Sequence, residues 1–497
     1  MWVRAATKKT LLMTMAVSGL AACVGTMPAI TPISGLSCRD QLTHVDGLIE
    51  KAGVHNAAGT PVVGYPFLRA NRNSVVMGKQ VAERDGQGLN DKGLFKDWIA
   101  QMRQLDRQAR ASEVQNLPVG HGISIDAVEN CANQLVVDLT LPDFAPISAA
   151  VFIPDDYLDF QRIAGLYPLP AFAAHFGYEG WKRENFQSFG QSPSVFASSG
   201  FWRSYVASRQ SVEADAGFIA DLPRDGFGRL VPTSVELEKI AQIYAPELRV
   251  REASDSDKIG RPILATRDAI SEIDTTWPTM FYGLSHGYFN GNWYPQIVYS
   301  VWFPERPENG MFDILAGHLD ALVWRVTLDH DGRPLIADSI HGCGCYHLFF
   351  PSNALKRIQA PEDGDIRETA ESPTGFVDAD ILTRPVLWVD ATSHYLMAVT
   401  ATKDLKQPDA TSTADLILEQ SLTSVKLDDG TGYASLYDED GFVPGTDRLE
   451  RFILWPLGIE RPGAMRQWGH HATAFVGRRH FDEPGLIGRY FAPRDLP

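Results

Sequence analysis

The spacing of apolar positions in this 497-residue chain changes along its length. Leu94, Trp98, Met102 and Leu105 recur at helical spacing, with Asn90 and Asp91 upstream as candidate caps. Lys96, Arg103, Arg107 and Arg110 of the same segment read as a solvated face. From Gly122 the pattern turns strand-like. Residues 135–141 and 148–153 are rich in β-forming residues and bounded by Pro or Asp, and are predicted as strands. Thr233-Ser234-Val235-Glu236 reads as a capping box opening a helix through Leu237, Ile240 and Tyr244. Residues 295–303 are apolar on both faces, as a buried strand requires. Residues 319–328 and 333–340 flank Asp329-His330-Asp331-Gly332, and an Asp-Gly step between two strand-like runs signals a hairpin. Two further strands are predicted over 386–389 and 395–399. Strand-rich order without βαβ alternation predicts an α+β fold, a β-rich body around a mainly antiparallel sheet with peripheral helices. A helical and loop region over 35–120 would precede a β-rich body over 121–497, or form one large domain with it.

Composition narrows the function. A hydrophobic fraction of 44% and an aromatic fraction of 10% are ample for a packed core and exclude a disordered body. A formal net charge of −16 argues against nucleic acid or anionic lipid as partners of that body.

The N-terminus carries its own pattern. Arg4, Lys8 and Lys9 precede a short apolar run over 11–17, then small residues and a cysteine. This is the layout of a secretory signal, too short to span a bilayer, which takes about 20 apolar residues. Leu20-Ala21-Ala22-Cys23 resembles the lipobox of bacterial lipoproteins. The resemblance covers only these first residues. It implies removal of residues 1–22 and acylation of Cys23, palmitate included, so that the lipid bilayer is the partner and 23–34 the tether. The mature chain would keep 475 residues (497 − 22) and a charge near −19 (−16 − 3). In the family an Asp after the cysteine often retains the protein at the inner membrane. Val24 stands there, which points to the outer membrane, facing the periplasm.

Four cysteines remain, and they allow three connectivities. The simplest pairs Cys38 with Cys131 and Cys343 with Cys345. Around the second pair runs His341-Gly342-Cys343-Gly344-Cys345-Tyr346-His347, imidazoles and thiols at strict alternation. On an extended strand all four would share a face. A four-residue hairpin loop would set Asp320 opposite His341 and His318 opposite Cys343, and a two-residue turn would set His318 opposite Cys345. Either way His318 and Asp320 join that face. His341, Cys343, Cys345, His347 and His318 are therefore candidate ligands for Zn or Cu, with Asp320 as an acceptor fixing an imidazole. The alternative is an envelope thiol-redox or structural-disulfide protein without metal.

A third reading is a serine or cysteine hydrolase, with Ser285 or Cys343 as nucleophile. Gly283-Leu284-Ser285-His286-Gly287 has the Gly-x-Ser-x-Gly spacing of a nucleophile elbow, but a turn rather than a helix is predicted after it. His286 is a further candidate ligand. His470, His471 and His480 form a second His-rich area, and His175 reads as a core histidine.

Overall fold

A computed structural model describes residues 36–86, 91–208, 216–310, 313–359, 368–401 and 407–494. The lipobox, Cys23 and the cap candidate Asn90 lie outside these residues. Seven helices open the described chain, α1 Cys38–Ala52, α2 Arg72–Gly86, α3 Lys92–Asn116, α4 Ile125–Val137, α5 Phe144–Ala150, α6 Asp159–Ala164 and α7 Pro168–Asn185. Helix α3 starts at the expected place. The Asp91 carboxylate accepts from the Gly93 and Leu94 N–H groups, satisfying two orphan donors of the first turn. Its Leu94, Trp98 and Met102 are buried.

The expected solvated face of α3 is partly interior. Arg103 and Arg110 are buried and both pair with Asp106, Arg103 reaching Glu129 and Arg110 reaching Asp46. Buried cations persist where several carboxylates compensate them.

Residues 135–141 and 148–153, predicted as strands, fall largely in or beside α4 and α5. Ser124 caps α4 by accepting from the Ala127 N–H, and Val128, Cys131 and Ala132 form its buried stripe. The Cys38–Cys131 disulfide binds α4 to α1. Packing and cross-linking decide the conformation here, not local β propensity.

Beyond these helices runs a ten-stranded sheet, from β1 Phe201–Ala207, β2 Glu247–Glu252, β3 Thr279–Phe289, β4 Asn292–Arg306, β5 Gly317–Leu328, β6 Pro334–His341, β7 Leu348–Pro351, β8 Pro385–Val389 and β9 Leu396–Ala401 to β10 Ala410–Leu418. Their spatial order is β7-β6-β5-β4-β3-β10-β1-β2-β8-β9. The fold is α+β, but the sheet is mixed. β10 lies parallel to β1 and β3, and β2 parallel to β8. Insertion of β10 between β3 and β1, far apart in sequence, is the feature that hairpin signals could not reveal. Helix α8, Ser234–Tyr244, has the predicted capping box and lays Ile240, Ile243 and Tyr244 into the core over the sheet. The Tyr299 hydroxyl on β4 donates to the Ala241 carbonyl at 2.7 Å and fastens helix to sheet.

Candidate functional site

The hairpin β5–β6 carries the candidate residues. Its register is reset by a bulge between Pro334 and Ile336, after which His341 stands opposite Leu322. His341 and Asp320 therefore share a face, as the pattern predicted. Nδ1 of His341 lies 3.6 Å from Oδ1 of Asp320, an ion-pair contact longer than a hydrogen bond.

The strand stops at His341, and the expected alternation fails there. The His341 N–H donates to the Cys345 carbonyl at 3.0 Å and the Gly344 N–H to the His341 carbonyl at 2.8 Å, closing a turn. Two glycines permit it. Gly342 packs against Ala321 and Met465, where an added Cβ would sit 2.7 Å from the Ala321 side chain. Gly344 has φ of +92° and faces the Ala472 carbonyl, 2.4 Å from where a Cβ would be. The expected four-ligand face over residues 341–347 is corrected accordingly, because its central three residues belong to a turn.

The turn brings the two thiols together. Cys343 is buried and Cys345 half-buried, and each thiol acts on the other's ionisation. The Cys345 thiol, helped by Arg448, holds Cys343 below the usual thiol range against the effect of burial. The Cys343 thiol and burial push Cys345 well above it. Both sulfurs line a cavity of about 20 Å³, with Tyr346, Gly463 and Ala472 among its walls. That is room for one water molecule. Glu450 is buried nearby, and burial raises its carboxyl.

Of the motif's histidines, His347 is engaged elsewhere, while both ring nitrogens of His341 are buried without a hydrogen-bond partner. His347 bonds through Nε2 to Asp338 at 2.9 Å, and Asp338 is gripped by the fully buried Arg325. Burial pulls His347 down to about 4, so the ring is neutral at pH 7. His318 places Nε2 2.6 Å from the Ser271 carbonyl. His341 packs edge-on against Tyr346, and burial lowers its pKa. Among the described residues, no three His, Cys, Asp or Glu side chains converge so as to hold a metal ion.

Asp320 does act as an acceptor, for partners the motif did not contain. Its buried carboxylate takes Arg448 at 3.2 Å and His394 Nδ1 at 2.9 Å. Burial opposes its ionisation, but Arg448 and His341 outweigh it and hold the carboxyl well below the usual range. His394 sits on the β8–β9 loop at φ of +51°, stacked on Phe303 with centroids 3.9 Å apart. Burial works against its charge, yet bonds to Asp257 and Asp320 raise its pKa. His394 had no sequence signal beyond being a histidine before a strand.

The remaining candidates are separate from this site. Ser285 lies mid-strand in β3, opposite Gln296, and β3 runs on to a turn at Asn290-Gly291 with no helix behind it. His286 is buried and bonds to the Leu230 carbonyl at 3.1 Å. His470 and His480 bind Asp156, while His471 is buried with both ring nitrogens unpartnered. His175 is exposed on α7, not in the core.

No protein-family model matches the chain, and no curated protein and no solved structure matches it either.

Proposed function

We propose that this chain is a lipid-tethered envelope protein whose working group is the Cys343–Cys345 thiol pair, cycling between dithiol and disulfide. The observation that carries this reading is the turn at 341–345, which places two unbridged thiols at the wall of one small cavity while Cys38 and Cys131 are bonded to each other. Two neighbouring thiols, one of them with a lowered pKa, are what thiol–disulfide exchange needs.

The exchange balances with a partner disulfide as oxidant. The Cys343 thiolate attacks one partner sulfur, the partner's S–S bond breaks, and one partner thiolate leaves. Cys345, giving up its proton, then attacks Cys343, forms the internal disulfide and releases the second partner thiol. Two electrons and two protons pass to the partner. A partner dithiol reverses the cycle.

The same adjacency supports a second reading, two-sulfur binding of a soft ion such as Cu(I), which thiolates favour. Zn prefers four ligands, and the dispersal of His341, His347 and His318 weighs against it. Differential alkylation with mass spectrometry, alongside elemental analysis of tag-free protein, separates the readings. The redox reading expects Cys343 and Cys345 to be alkylated after reduction and bridged to each other after mild oxidation, without stoichiometric metal. Stoichiometric copper that blocks alkylation would replace it with the second reading.

A further inference from the structure

Among the described residues, the largest set of exposed apolar side chains gathers on α6 and α7. Phe160 and Ile163 of α6 are 80% and 77% exposed, and Leu169 and Phe172 of α7 are 70% and 66% exposed. Leu166 between them and Phe176 beyond them continue the row at intervals of three and four residues. Phe160 and Ile163 share a face of α6, and Leu169, Phe172 and Phe176 share a face of α7, with Leu166 at φ of +53° in the link between the two helices. The segment 449–455 lies beside it. The Leu158 N–H donates to the Gly458 carbonyl, and the Arg162 guanidinium to the Leu457 carbonyl, which sets Gly165 against Pro456. Phe452 and Ile453 there are 64% and 59% exposed, and Trp455 is 40% exposed. Together these side chains leave on the order of 1,000 Å² of apolar surface in water. A typical monomer's largest apolar patch is about 300–600 Å².

Charge is arranged to match. The chain has 61 acidic residues in 497, roughly one in eight, yet none falls in 160–178 or 451–458. Arg162, the basic residue within the first stretch, is turned inward onto the Leu457 and Gly477 carbonyls. At the end of α7, Lys182 pairs with Glu179 and Glu371, and Arg183 follows it. Acidic residues stand at the margins, Asp159 at the start of α6 and Glu179 within α7, with none between them.

We infer that the face formed by α6, α7 and residues 449–455 rests in the interfacial layer of a phospholipid bilayer, its apolar side chains reaching the acyl boundary. The choice of occupant rests on the lipid-tether reading. Thirteen residues separate Cys23 from Leu36 (36 − 23), and a chain of that length reaches at most about 45 Å. A body held so close meets the bilayer before it meets anything else. A surface helix with large exposed apolar residues lies in that layer without spanning it. The acyl anchor would hold the body at the bilayer, and the apolar face would add a second contact with it.

The test uses the full mature chain on vesicles of phosphatidylethanolamine and phosphatidylglycerol, with amide hydrogen exchange read peptide by peptide. Exchange over 159–185 and 449–457 is expected to slow at least tenfold on adding vesicles, with 234–244 unchanged. The triple variant F160S/I163S/F172S changes exposed positions only. It is expected to keep floating with vesicles through its anchor while losing the slowing. A chain that floats with exchange at 159–185 unchanged overturns the inference and leaves the tether standing. Slowing that follows protein concentration without vesicles overturns it in favour of a second copy of the chain. Palmitate incorporation at Cys23 reads the tether separately. Slowing on vesicles by a chain without palmitate refutes the tether alone, and a chain that neither carries palmitate nor floats overturns both.

Discussion

Nδ1 of His394 lies 2.9 Å from Oδ2 of Asp320, and its other nitrogen lies 3.5 Å from Oδ1 of Asp257. One ring thus joins the β8–β9 loop to β5 and to the segment after β2. It does so fully buried and in a left-handed backbone conformation, which costs of order 1–3 kcal/mol and persists only where surrounding contacts enforce it.

Removing the carboxylate is therefore expensive. Asp320→Ala leaves Arg448 and His394 buried and facing a lost partner. A loss of about 3–5 kcal/mol is expected from urea denaturation at pH 7. His394→Asn leaves Arg448 on Asp320 and is expected to cost less. Because the folded-state pKa of His394 is raised, its stabilisation is complete below about pH 6.5 and fades as pH rises through the folded value. The gap between wild type and His394→Asn should narrow from pH 6 to pH 9.

His347 predicts the opposite slope. Its folded pKa is lowered to about 4, so between about pH 6.5 and 4 the unfolded chain takes up a proton that the folded one refuses. Stability falls as pH falls across that window, by about 3 kcal/mol from this group. Denaturation curves at pH 7 and pH 4.5 should converge for His347→Gln relative to wild type.

Gly344→Ala separates steric from backbone cost. At Gly344 a Cβ meets the Ala472 carbonyl at 2.4 Å in addition to the positive φ, whereas at Gly375, φ +65°, nothing lies within 4 Å. Gly375→Ala should lose about 1 kcal/mol and Gly344→Ala about 2–4 kcal/mol in the same urea assay. Gly344→Ala should also slow bridging of Cys343 and Cys345 on oxidation.

The Cys38–Cys131 bond closes a loop with a sequence separation of 93. On the chain-entropy account, Cys131→Ser should cost about 4–5 kcal/mol, read by urea denaturation against the intact protein. A much smaller loss would mean that α1 and α4 stay associated in the unfolded chain.

What the sequence made legible was local. The Asp329–Gly332 hairpin, the Thr233–Glu236 capping box and the buried run over 295–303 all depend on neighbours a few residues apart. So does the shared face of His341 and Asp320, because strand alternation preserves facing whenever the register shifts by an even number. The hairpin closes one residue off the expected register, pairing Leu328 with Pro334, and the bulge that follows restores the parity. The thiol pair was visible too, but not its setting, since the turn at 342–346 depends on Met465 and Ala472, more than a hundred residues away. Remote contacts also hid His394 and the insertion of β10, while the buried arginines of α3 pair locally with Asp106 and find further partners in α1 and α4.

The central claim is tested most directly by equilibrating the full chain in graded thiol–disulfide buffers and counting free thiols at each potential. The account predicts one two-electron transition, confined to Cys343 and Cys345, abolished in Cys345→Ser, with Cys38–Cys131 bonded throughout. Two thiols that never bridge at any potential, while the protein stays folded, would contradict it.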